Sequence, residues 1–188
     1  GIEEGSRAEL AAATAAAVIE AGRSGDDGDR FVALADQVGL DTLAALWRDA
    51  DPVSLAGSLW ALYLLRQWCR TNGEEVTRLW HAGQPFASAD AVVAGVPDYA
   101  DVDAVQRIAD AVLTSAYRSD LGVALERAAA LFRVLATGRR QLADDLGYGA
   151  ADDPLTAGDL ERDRAGRNDR VAADLTAAAA KWRAGTRH

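Results

Sequence analysis

Between Pro52 and Arg70 the chain carries a helix-length segment that is apolar on almost every side. Val53, Leu55, Leu59, Trp60, Leu62, Tyr63, Leu64, Leu65 and Trp68 cover nearly the whole circumference of a helical wheel. A helix of that kind is stable only when other structure surrounds it. The longest apolar stretch, Leu55 to Leu65, is far too short to span a bilayer, so the surroundings must be protein. Asp51 is a suitable N-cap, Pro52 suits the first helical position, and Asn72-Gly73 ends the segment. Ser54, Gly57, Ser58 and Ala61 fall on one side, where small side chains invite close approach by a neighbouring helix.

The rest of the chain offers helices to do the surrounding. Alanine fills 42 of 188 positions and loses no side-chain entropy in a helix. Ser6 and Glu9 form a capping-box pattern ahead of an alanine-rich run to Ala21, and residues Gly22 to Asp29 read as a surface loop. Asp29 and Asp41 are placed to cap two short helices, the first carrying Phe31, Val32, Leu34, Ala35 and Val38 and ending at Gly39. Glu74 to Ala82 reads as another. Pro85 and Pro97 bracket an irregular region with one short helix near Asp90 to Ala94. A stripe of Val105, Ile108, Val112 and Leu113 follows Asp101 or Asp103. A second stripe of Leu121, Leu125, Leu131, Phe132 and Leu135 follows Ser119 or Asp120 and stops near Gly138 or runs on to Leu146.

Residues Gly147 to Asn168 are polar and glycine-rich, which predicts a linker with little helix, and Asn168 to Arg183 form a narrow amphipathic helix. No long run alternates with period two. The expected architecture is all-α, a multi-helix bundle of about 7–9 helices around a central buried helix 52–70, without significant sheet. Residues 1–146 make the core domain. Residues 147–188 make the linker and a helix that packs on the core or on a second subunit.

Charge and chemistry bound the function mainly by exclusion. Net charge is −9 and the sequence pI about 4.7, with no basic block, so nucleic acid and membrane are poor partners. One cysteine, Cys69, excludes an intrachain disulfide, and with only His81 and His188 beside it no Cys/His zinc site can form. A reducing cytoplasm is the expected setting. No Gly-x-Ser-x-Gly elbow, Glu-x-x-His pair, calcium-loop spacing or phosphate-loop lysine occurs, so no catalytic residue, metal ligand or cofactor is assigned. The acids at Asp26, Asp27, Asp29, Asp98, Asp101 and Asp103 suit helix starts, and Cys69 reads as a buried, inert thiol.

Three readings of function remain. Leading is a non-catalytic helical protein that acts through a protein partner or its own dimer, with Val171, Leu175 and Trp182 on the last helix as the docking stripe. The second is a binding protein or enzyme for a small anionic ligand in a pocket between helices, held by Tyr63, Arg66, Arg70 and His81. The third rests on Leu34-Ala35-Asp36-Gln37-Val38-Gly39-Leu40-Asp41-Thr42-Leu43, whose Leu-Ala-x-x-x-Gly-apolar-polar order resembles the turn of a helix-turn-helix DNA reader. That likeness implies a reading helix bearing Thr42, Ala44, Ala45, Arg48 and Asp49, a poor set for phosphates and base edges. A local echo, Leu46-Trp47 to Pro52-Val53 against Leu79-Trp80 to Pro85-Phe86, has no third copy and marks no repeat array.

Overall fold

The computed structural model describes residues 1–24, 32–118, 120–146 and 156–186. Among them lie nine α-helices and no strand: α1 (Ile2–Ser24), α2 (Leu34–Val38), α3 (Leu40–Trp47), α4 (Leu55–Thr71), α5 (Gly73–Gly83), α6 (Ser88–Ala94), α7 (Val102–Arg118), α8 (Leu121–Leu146) and α9 (Ala157–Thr186). A 3-10 turn, Gln84–Phe86, joins α5 to α6. The chain is an all-α multi-helix bundle. Asp29 and Phe31, expected at the start of the second helix, lie outside the described residues.

The apolar helix is buried over most of its circumference, as its sequence requires, and α8 shares the centre with it. α8 is buried almost continuously from Leu121 to Arg139 and packs against α5, α6, α7 and α9. α4 lies mainly against α7 and α1. The α5/α8 crossing is the closest. A Cβ built on Gly83 would stand 2.0 Å from the Val134 carbonyl oxygen, and one on Gly138 would stand 2.0 Å from that of Leu79. Gly138 is therefore a point of backbone contact within α8, and the helix continues through it to Leu146.

Several boundaries differ from those expected, each for a local reason. α1 begins at Ile2, ahead of the Ser6–Glu9 box, with Glu3 and Glu4 in its first turn, where the helix dipole favours acids. Its residues as far as Leu10 are exposed, and Ala11, Ala15 and Ile19 carry its packing. α4 is capped by Ser54, whose Oγ accepts from the Gly57 N–H at 3.1 Å. Asp51 caps only the turn before it, taking the Val53 N–H at 2.9 Å. That turn folds back across Gly57, where a Cβ would meet the Asp51 carbonyl oxygen at 2.1 Å. The small residue at 57 thus admits the chain's own turn, not a neighbouring helix.

The largest correction concerns residues 157–168, read as linker but helical. Thr156 Oγ1 accepts from the Asp159 N–H at 3.1 Å and caps a helix of 30 residues. A thin stripe of Ala165, Ala172, Leu175 and Ala179 packs on α8 of the same chain. The charged flanks pair with α8 as well: Arg139 with Glu161 at 2.9 Å, Arg162 with Asp144 at 3.3 Å, and Arg183 with Glu126. The polar composition that argued against helix supplies this ladder, and alanine on the buried stripe lets α8 and α9 lie close together.

Candidate functional site

The four side chains read as an anion pocket turn to different partners. Arg66 is buried, only 3% exposed, yet its guanidinium is paired with two carboxylates: Nε donates to Asp110 Oδ1 at 2.9 Å and Nη2 to Asp36 Oδ2 at 3.0 Å. The hydrogen bond from Arg66 holds the Asp36 carboxyl below the usual carboxylate range. Arg70 is half-exposed and reaches the same carboxylate, at 3.8 Å, rather than Glu74. Tyr63 shares a 2.6 Å hydrogen bond with Tyr117 deep in the core, where burial pushes its phenol up to about 12. His81 donates from Nε2 to the Ala100 carbonyl at 2.7 Å, which ties α5 to the loop before α7. Arg66 and Arg70 therefore converge on Asp36, while Tyr63 and His81 serve other seams.

Cys69 is wholly buried, and burial pushes its thiol up to about 12, with the negative charge of Asp110 acting in the same direction. It is expected to resist a disulfide reagent at pH 8 in the folded protein and to react only on unfolding. Prompt labelling of native protein would contradict its placement. Among the described residues no group of three or more His, Cys, Asp or Glu side chains is set to hold a metal ion, and no helix is long and apolar enough to cross a membrane. Gly39, at φ +88°, makes the turn between α2 and α3, but α2 is a single five-residue piece and Leu43 and Trp47 of α3 face the core.

A concave apolar feature lies elsewhere, along the seam between α4 and α9. α8 and α9 approach closely through alanines, but α4 bears tryptophans and leucines on its facing side and touches α9 and α8 only sparsely. The gap is a hollow of about 420 Å³ whose walls include Trp60, Leu64, Leu65 and Trp68 of α4, Phe132 of α8 and Val171 of α9. A second hollow of about 440 Å³ continues the seam, between Val53, Leu55 and Ser58 on one side and Ala178 and Trp182 on the other, over Leu121 and Leu125. Leu64 is 41% exposed at the opening. Trp68 is fixed from behind, stacked on Phe132 with ring centres 6.4 Å apart and lying under the Arg139 guanidinium at 5.2 Å.

The three residues read as a docking stripe, Val171, Leu175 and Trp182, all belong to this seam. Leu175 is buried in the core, and Val171 and Trp182 are half-buried against it, in contact with their own chain. Trp60, Leu64 and Trp68 recur every four residues and so form one wall. Their spacing is visible in sequence, but the wall opposite them, Val171, Asp174 and Leu175, becomes visible only when α9 is placed. A second set of exposed apolar side chains, Phe86, Val92 and Tyr99, lies around α6, where a hollow of about 470 Å³ is lined by Val92, Val96, Pro97 and Asp98 among others.

Comparison with known proteins finds no matching family model and no match among curated proteins or solved structures.

Proposed function

We propose that this chain is a non-catalytic binding protein that holds an apolar ligand in the groove between α4 and α9. The observation that carries this reading is the indole-lined hollow of about 420 Å³, open to solvent and walled by Trp60, Trp68, Leu64 and Phe132. Small-molecule sites are concave, of a few hundred cubic ångströms, and mostly apolar with few polar groups. Here the charged lining residues are two, Arg48 and Asp174. The catalytic constellations that an enzyme would need have no counterpart among the residues around the groove, so the chemistry supported is recognition.

The groove predicts saturable binding of a neutral apolar dye such as Nile red, with one site per chain. Trp60→Ala removes the largest accessible wall and is expected to weaken that binding about tenfold or more while leaving the fold intact, since Trp60 is only half-buried. Titration of wild type and variant by dye fluorescence, with sedimentation run in parallel, distinguishes a pocket from a self-association surface. Dye binding that is weak, unsaturable and indifferent to Trp60→Ala would remove the reading. A concentration-dependent dimer that masks the groove would transfer it to self-association.

A further inference from the structure

We infer that the face around α6 docks a basic, apolar peptide segment of another protein. This surface is separate from the groove and does not depend on it, since the two share no lining residue. Exposed apolar side chains gather here: Phe86 is 68% exposed, Val92 81% and Tyr99 97%. Val92 does not hold α6 in place, because Ala91 and Ala94 bury the other side of that helix against α8. Apolar surface grouped in this way, and not used by the fold, marks a place of contact with another molecule.

The face is also preformed. Its hollow of about 470 Å³ lies between the 3-10 turn, α6 and the loop that follows. Pro85 and Pro97 stiffen the backbone on its two sides. Gln84 Nε2 donates to Asp98 Oδ1 at 2.7 Å and ties the turn to the loop. Pro85, Val92 and Pro97 give the hollow apolar walls, and Phe86 and Tyr99 stand one residue beyond lining positions. An apolar side chain of a partner therefore meets a concave site that needs little ordering.

Charge selects the partner. From Leu79 to Gln106 the chain has four aspartates and no lysine or arginine. Asp98 is the one charged residue lining the hollow, and it accepts from a neutral amide. Asp101 takes the Ala104 N–H at 2.8 Å, and Asp103 is exposed. None of these three acids is ion-paired among the described residues. Two arginines of α8 come near α6, and neither lines the hollow. Arg133 pairs with Asp90 at 3.3 Å, and Arg127 donates to the Ala94 carbonyl at 3.4 Å. A second copy of the chain would bring the same aspartates and a net charge of −9 against this face. A segment that carries arginine or lysine beside an apolar side chain instead meets opposite charge and an apolar hollow together.

The test uses three fluorescein-labelled peptides with one shared leucine and phenylalanine pattern and Arg, Gln or Glu at every polar position. Binding to the full chain is read by fluorescence anisotropy. At low salt the Arg peptide is expected to bind about tenfold tighter than the Glu peptide, and the gap is expected to narrow in about 0.5 M salt. Phe86→Ser and Val92→Ser are each expected to weaken the Arg peptide about threefold to tenfold. Their melting temperatures are expected to match wild type, since both side chains are exposed. Asp98→Asn is expected to narrow the preference for Arg over Glu about threefold. Saturating Nile red is expected to leave the Arg peptide in place. Equal binding of the three peptides overturns the basic partner. Full affinity in both serine variants, or displacement by Nile red, overturns the location. A wild-type dimer in sedimentation that Phe86→Ser dissolves assigns the face to a second copy and overturns the foreign partner. If no peptide binds, the proposal falls.

Discussion

Gly138→Ala is expected to destabilise the protein by about 3 kcal/mol or more, measured as a lower urea midpoint at unchanged slope. Two effects oppose each other at this position. Alanine is the better helix former by about 1 kcal/mol, so propensity alone predicts a gain in the middle of α8. Against that, the added methyl would stand 2.0 Å from the Leu79 carbonyl oxygen and 2.8 Å from its carbon. Those atoms are helix backbone and cannot swing away as a side-chain tip can. α8 is also held from behind by α9, so separation from α5 would disturb a second interface. Steric exclusion should win by a wide margin. Gly5→Ala provides the control: its Cβ meets nothing within 4 Å, and the expected change is a small gain of at most about 1 kcal/mol. A stabilising Gly138→Ala would mean that α5 and α8 do not touch through their backbones.

Gly138 also shows why part of this fold is legible in sequence and part is not. Helical periodicity locates nearly every element, because it acts within a few residues, whereas the caps expected at Ser6, Asp41 and Asp51 give way to a start at Ile2, a start after Gly39 and a cap at Ser54. A glycine, however, serves equally as a helix end or as a place where two backbones meet, and only the partner decides. The same limit applies to residues 157–168, whose charges look like those of a solvated linker until Glu161 finds Arg139 and Arg162 finds Asp144 on α8. Arg66 and Arg70 were recognisable as a pair one turn apart. That their carboxylates come from Asp36 and Asp110, 30 and 44 positions from Arg66, follows from tertiary packing and from no local rule. The groove is the extreme case. An all-round apolar helix states that it needs cover, and says nothing about whether the cover on one side is large enough to close the gap.

The buried Arg66 provides the second large effect. Replacing both of its carboxylates, Asp36→Asn with Asp110→Asn, is expected to cost about 3–5 kcal/mol, since a guanidinium left charged and uncompensated out of water is among the costliest defects a core can hold. Asp36→Asn alone should cost about 1 kcal/mol, because Asp36 is half-exposed, solvent screens it, and Asp110 remains. Arg66→Met should cost less than the double carboxylate variant: both acids are exposed enough to hydrate, and an apolar chain of similar length fits the site. The ordering separates an isolated buried charge from a merely lost contact. Acid adds a second readout. The Asp36 carboxyl titrates below its unfolded value of 3.8, so its contribution is complete above that pH and is lost as pH falls through the lower folded value. The wild-type urea midpoint should therefore fall more steeply with acid below about pH 4 than that of Asp36→Asn. Parallel acid limbs in the two proteins, or a double variant within about 1 kcal/mol of wild type, would show that Arg66 does not depend on these carboxylates.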